Sequence, residues 1–183
     1  NRVHPRQDYG RPGWMRVRDY CDGMICNWGT HLNDIAQWGN GTDRTGPVEV
    51  EAQGTYPKEG LWNVLADFKA WYRYASGVEL HYTMSRPFVR FEGDEGWIEA
   101  EYGASALRAH PESLLKEPIP TSGVRFPLKT EKRDFIDCCK TRGRTLADAE
   151  VGHRTTSVCH LAHISLQLGG QRLKWDPDKE VFL

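Results

Sequence analysis

Within the stretch CNWGTHLNDIAQWG (residues 26–39), Asn27, His31, Asp34 and Trp38 recur at helical spacing. On an α-helix of 3.6 residues per turn these four fall inside an arc of about 60°. Imidazole is the side chain whose pKa lies nearest neutrality, so His31 is suited to take a proton from a hydroxyl as its carbon becomes a carbonyl. Asn27, one turn earlier, can orient a substrate or the imidazole by hydrogen bonds. Asp34, three residues after His31, can fix the imidazole tautomer and stabilise the imidazolium. Spacing alone equally allows a hydrogen-bonded structural histidine beside a surface acid. The distinction turns on whether the row lines a cleft.

The helix that must carry this row is expected from about Asp22 to Trp38, with Asp22 as N-cap and Gly39 as the left-handed residue at its end. Met24, Ile25, Trp28, Leu32, Ile35 and Ala36 fill the neighbouring arc and predict the core-facing side, which puts the polar row at its border. Strand signals follow. PVEVEAQGTY alternates, FKAWYRYASGVELHYTM reads as a hairpin turning at Ser76-Gly77, and FVRFEGDEGWIEAEY reads as a second hairpin turning over Gly93-Asp94-Glu95-Gly96. SALRAH predicts a further short strand ended by Pro111. A helix is expected between a Thr130 cap and Gly143, with Phe135, Ile136 and Cys139 inward. Another runs from about Asp148 to Leu168, and QRLKWDPDKEVFL closes as a hairpin over Asp176-Pro177-Asp178. A helix, a run of strands, two helices and a hairpin predict an α+β fold: an open, mainly antiparallel β-sheet with helices packed on one face.

Composition narrows the function. The 183 residues are 39% hydrophobic and 27% charged, as in an ordinary single globular domain. A formal net charge of −1 lacks the basic excess of a nucleic-acid-binding surface. No apolar run reaches the roughly 18–20 residues that span a bilayer, and the first ten residues do not read as a signal peptide. Cys21, Cys26, Cys138, Cys139 and Cys159 form no CxxC and read as small thiols of a reducing compartment, not as a disulfide framework or metal ligands. A cytoplasmic location is the expectation, with an exported parent left open. His153 and His160 stand seven apart on the last helix, a spacing that can bind metal. No acid or cysteine on that face completes a set, so both read as buried structural histidines, with His163 peripheral.

YCDGMICNWGTHLNDIAQWG resembles the segment that opens the C-terminal domain of the Gfo/Idh/MocA oxidoreductases, the glucose–fructose oxidoreductase and inositol dehydrogenase family. Members carry a Gly-rich lead-in, Asp-x-x-x-His, an Asp three residues on, and a Trp-Gly or Trp-Leu pair. PVEVEAQGTYP, YRYASGVELHYT, FVRFEGDEGWIE, DFIDCCKTRGRTLADAEVGHRTTSVCHLAHISLQLG and LKWDPDKEVF resemble the same domain in the same order, so the likeness covers nearly the whole chain. It implies that residues 1–183 form one C-terminal-type substrate and oligomerisation domain, with residues 1–22 as a polar arm. His31 then matches the family's catalytic histidine, the base toward a sugar or polyol hydroxyl, and Asp34 its supporting carboxylate. Asn27 stands where better-known members carry aspartate; an amide orients but does not accept a proton at neutral pH. The resemblance also lays the arm over the active-site cleft, which makes Arg2, His4, Arg16 and Tyr20 candidates for substrate contact. A solvated basic loop is the alternative. His153 is a further candidate to line the cleft.

The family's N-terminal Rossmann half is not legible here. There is no GxGxxG and no Glu-Lys-Pro; KEPIP reverses the order, and GDEG and GTDRTG lie in turns rather than between a parallel strand and a helix. The expectation is a piece of a longer protein whose other half binds NAD or NADP, with no cofactor-binding residue on this chain and no redox activity by it unaided. Three competing readings stand: a stand-alone substrate-type domain, a non-catalytic binding or assembly module with the same fold, and a relative that uses nicotinamide transiently to cleave glycosides. The resemblance also implies a homo-oligomer, dimer or tetramer, formed through the open sheet face. Trp71, Tyr72, Tyr74, Tyr82, Phe88, Phe91 and Trp97 are expected to give that face a broad apolar surface.

Overall fold

The structure, a computed structural model, describes residues 13–118 and 130–183. In chain order a 3-10 turn (Gly13–Arg16) leads to α1 (Met24–Asn27), α2 (Gly29–Gly39), β1 (Glu49–Thr55), β2 (Asp67–Arg73) and β3 (Glu79–Thr83). Then come β4 (Phe88–Gly93), β5 (Gly96–Glu101), β6 (Arg108–His110), a 3-10 turn (Glu112–Lys116), α3 (Glu131–Thr141), α4 (Ala149–Gln167), β7 (Leu173–Asp176) and β8 (Val181–Phe182). Every strand pairing is antiparallel, and the fold is α+β with open sheets. The strands divide between a five-stranded sheet of order β3-β2-β1-β7-β8 and a three-stranded sheet β4-β5-β6. Two compact units result: residues up to Pro87 with His153–Leu183, and Phe88–Gly152. Among the described residues no helix is long and apolar enough to cross a membrane.

Alternation decides the first unit. Val50 pairs with Tyr72 and Ala52 with Ala70, and these positions, with Phe68 and Tyr82, are buried against Ile25, Val158, Leu161 and Ala162 of the helices. Of the other face, Glu49, Glu51, Lys69, Arg73, Glu79 and His81 are polar and at least partly exposed, with a half-buried Trp71 among them. The broad apolar open face expected from the strand aromatics is therefore absent from this sheet, because Tyr72, Tyr74 and Tyr82 all lie on the helix side. Their hydroxyls are the reason. Tyr72 donates to Val158 O at 3.0 Å, Tyr82 reaches the Met24 and Ile25 carbonyls at 3.2 Å, and Tyr74 donates to Gln37 Oε1 at 2.6 Å.

Those bonds also choose the face of the first helix, which differs from the expected one. The buried stripe is Ile25, Gly29, Asn33 and Gln37, while Ile35 and Trp38 stay exposed. Gln37 is satisfied inside: its Oε1 also accepts from Thr42 Oγ1 at 3.0 Å, and its Nε2 donates to Thr45 O at 3.3 Å. Asn33 Nδ2 donates to Cys159 Sγ at 3.5 Å. A buried amide with its partners in place costs little, so hydrogen bonding overrides hydrophobic periodicity here. The ends shift too. Gly23, not Asp22, precedes the first turn, and no side chain caps it. Gly39 is helical, and Gly41 carries the positive φ of 70°. The polar arm ends in the core, with Met15 and Val17 buried.

Burial holds the Tyr72, Tyr74 and Tyr82 hydroxyls above the ordinary phenol range. A pKa raised by folding contributes stability in full below the unfolded value of about 10, and loses it as pH climbs further. We expect the tyrosinate absorbance of these rings to emerge above about pH 10 only together with loss of the near-ultraviolet circular dichroism. Tyrosinate from these rings with the tertiary signal intact contradicts this.

In the second unit, Thr130 caps α3 by accepting from Arg133 N at 3.2 Å, as its position predicts. The residue with left-handed geometry after α3 is Arg142 (φ 58°), one before Gly143. Phe135, Ile136 and Cys139 are exposed rather than inward. Asp134 takes the buried side instead, because its Oδ2 accepts the Leu146 N–H at 2.9 Å and so ties down the following loop. On the small sheet Glu99 is buried, ion-paired with Arg90 at 3.0 Å and with Arg108.

Candidate functional site

The polar row straddles a helix junction. α1 ends at Asn27 and α2 begins at Gly29, with Trp28 between them at φ −84° and ψ −28°. His31 N donates to Trp28 O at 3.1 Å, and the Thr30 hydroxyl takes the Asn27 carbonyl at 3.4 Å. Leu32 N still donates to Trp28 O at 2.9 Å, so the ladder continues and Asn27 and His31 stay on successive turns.

His31 is exposed. Its ring stands edge-on to Trp28, centroids 5.9 Å apart at 65°, and makes no hydrogen bond to a described residue. The Asp34–His31 hydrogen bond expected from the spacing is not formed. Asp34 turns toward α4 instead, where its Oδ1 accepts from the buried Thr155 Oγ1 at 3.1 Å. A hydrogen bond to a charged group contributes about 1.5–3 kcal/mol. Asp34 thus ties the helix that carries His31 to α4; Thr155 carries no sequence signal that would single it out. Asn27 Oδ1 is buried and accepts no hydrogen bond from the described residues. Such an acceptor costs about 1–3 kcal/mol unless water or a ligand completes it.

The Arg16 guanidinium lies over the Trp62 ring, 4.9 Å from its centroid, and Tyr20 is exposed. Arg2 and His4 lie outside the described residues. His153 is not buried; its Nε2 lies 2.8 Å from Glu180 Oε1 in the closing hairpin. His160 is half exposed, whereas His163, expected at the periphery, is the buried histidine of α4. Burial holds the His163 imidazole below its usual range, opposed by the nearby Asp22 carboxylate.

This arrangement offers an accessible imidazole on a helix fixed by buried hydrogen bonds, with an unsatisfied amide oxygen one turn away. It can accept a proton from a bound hydroxyl. Among the described residues all strands pair antiparallel, and none leads through a Gly-rich turn into a helix of the kind that takes a pyrophosphate.

Residues 11–183 match the model of an oxidoreductase family, C-terminal alpha/beta domain. No curated protein matches the chain. Among solved structures, aldose-aldose oxidoreductase from Caulobacter crescentus, complexed with glycerol, superposes with a TM-score of 0.65 at 18% identity, covering 88% of this chain and 50% of that one. The WlbA dehydrogenase from Bordetella pertussis, in complex with NADH and UDP-GlcNAcA, gives 0.65 at 13% identity over 92% of this chain and 50% of its own. UDP-N-acetylglucosamine 3-dehydrogenase GnnA from Acidithiobacillus ferrooxidans gives 0.53 at 15% identity, over 78% and 48%. The chain spans about half the length of these proteins.

Proposed function

The chain belongs to the Gfo/Idh/MocA oxidoreductases through their C-terminal α/β domain, and we propose that it is the substrate-binding half of an NAD(P)-dependent sugar or polyol oxidoreductase, with His31 as general base. The observation that carries this reading is the His31 ring, accessible and without a hydrogen bond to a described residue, on a helix locked by Asp34–Thr155 and Gln37–Tyr74. In the proposed reaction the His31 imidazole takes the proton of the hydroxyl whose carbon becomes a carbonyl. Asn27 orients from one turn away, through an amide whose oxygen is buried and without a partner among the described residues. The hydride needs an acceptor that the described residues do not cradle, so NAD or NADP belongs to another part of the full protein. Known members of the fold support the substrate class: one was solved with glycerol and another with NADH and a nucleotide sugar. A dimer or tetramer contact on the open face of the five-stranded sheet goes with this reading, through charges of both signs around Trp71 rather than a broad apolar patch.

The amide at position 27 favours one rival, a binding module that kept the fold and lost the chemistry. The product of the complete gene, incubated with NAD or NADP and a panel of sugars and polyols, separates the readings. Reduction of the nicotinamide supports the proposal. Sugar release from a glycoside with no net change in nicotinamide assigns the glycoside-cleaving alternative, and neither product with an intact fold leaves the binding module.

A further inference from the structure

Asp22, Cys26 and His160 converge, and their ligand atoms all lie within 4.8 Å of one another. Asp22 and Cys26 are four apart at the entrance to α1, so their side chains meet on one side of the turn; His160 arrives from α4. Asp22 Oδ2 is 3.3 Å from His160 Nδ1 and 4.0 Å from Cys26 Sγ. We propose that these three residues bind a divalent zinc-class ion, with a fourth position open to solvent.

Two of the three donor separations lie close to those of a tetrahedral ion. With Zn–N and Zn–O near 2.1 Å and Zn–S near 2.3 Å, donors sit about 3.4 Å apart for nitrogen and oxygen and about 3.6 Å for sulfur and oxygen or nitrogen. The first is met to about a tenth of an ångström and the second needs a few tenths, while Cys26 and His160, within 4.8 Å, close by up to about 1.2 Å as the ion draws them in. Chemistry selects the metal: thiolate, imidazole and carboxylate together fit Zn2+, whereas Mg2+ and Ca2+ require oxygen ligands. The acid is also held from behind. Its other oxygen, Oδ1, lies 3.3 Å from His163 Nδ1, and His163 Nε2 lies 3.1 Å from the Tyr56 hydroxyl. A ligating carboxylate steadied by an imidazole that is itself hydrogen-bonded is the usual outer arrangement of a zinc site. His163 is buried while the His160 side chain is 48% and Asp22 24% exposed, so the support is inside and the mouth faces water. Sequence spacing hides the set, because the acid and the cysteine come from α1 and not from the face that carries His153 and His160.

Ligands from α1 and the residue leading into it, together with His160 of α4, fix α1 against α4, so metal binding stabilises the fold by mass action. The test is titration of the full 183-residue chain with Zn(II), and with Co(II) as a spectroscopic probe, after chelator treatment. The expected results are uptake of one ion per chain, a rise in Tm, tetrahedral visible bands and a near-ultraviolet thiolate-to-cobalt band. Cys26→Ser abolishes that band and Cys159→Ser keeps it. His160→Gln abolishes stoichiometric binding, and His163→Gln weakens it about 10- to 100-fold. No stoichiometric uptake by the unmodified chain overturns the proposal. So does a cobalt complex lacking the thiolate band, or a band that survives Cys26→Ser.

Discussion

Replacing His31 with alanine in the complete protein lowers kcat for hydroxyl oxidation about 10²- to 10⁴-fold, the usual worth of a positioned general base. The ring is exposed and carries no hydrogen bond to a described residue, so its removal leaves no buried group unpaired, and the melting temperature should hardly move. Substrate affinity changes far less than turnover, because the proton transfer is made in the transition state and not in the bound ground state. A loss of stability that parallels the loss of rate would instead mark His31 as structural. Asp34→Asn offers the contrast. It keeps an acceptor for Thr155 Oγ1 and does not touch the imidazole, so its effect on rate is smaller than that of His31→Ala.

Gly29→Ala is expected to destabilise the fold by about 1–3 kcal/mol, the cost of overpacking a filled core. In an ordinary helix the same change stabilises by up to about 1 kcal/mol, so the sign is the test. A Cβ at residue 29 would lie 2.5 Å from Cys159 Sγ and 3.2 Å from the Tyr82 hydroxyl oxygen. α2 and α4 approach this closely only because Gly29 has no side chain, and α2 is the element that presents His31. The substitution should therefore lower turnover as well. Cys159→Ser shortens the obstructing side chain while keeping an acceptor for Asn33 Nδ2, and the double variant should recover part of the lost stability in a denaturant titration. A Gly29→Ala variant more stable than the parent contradicts this packing.

Local signals were the most legible part of the chain. Alternation located β1, β2 and β3, Ser76-Gly77 and Gly93–Gly96 marked the hairpin turns, and Thr130 marked the start of α3. Faces were legible only where burial follows hydrophobicity. The first helix breaks that rule because Asn33 and Gln37 are buried on partners from residues 42–45, 74 and 159, none visible from the helix itself. Phe135 and Ile136 break it from the other side, displaced outward by the Asp134 carboxylate that holds the Leu146 amide. The same limit governs the site. Periodicity put Asn27, His31 and Asp34 in one row, yet the partner of Asp34 lies 121 residues away in sequence. The division of the strands between two sheets is likewise a matter of long-range pairing, which alternation within a strand does not encode.

Chemical rescue tests the central claim most directly. The quantity to measure is the rate of nicotinamide reduction by the His31→Ala variant of the complete protein, with and without added imidazole, on the substrate that the unmodified protein oxidises. If His31 is the base, the variant is slow, exogenous imidazole restores part of the rate in proportion to its concentration, and the unmodified protein does not respond. A variant that turns over at the parental rate without imidazole removes His31 from the reaction and, with it, this assignment of the active site.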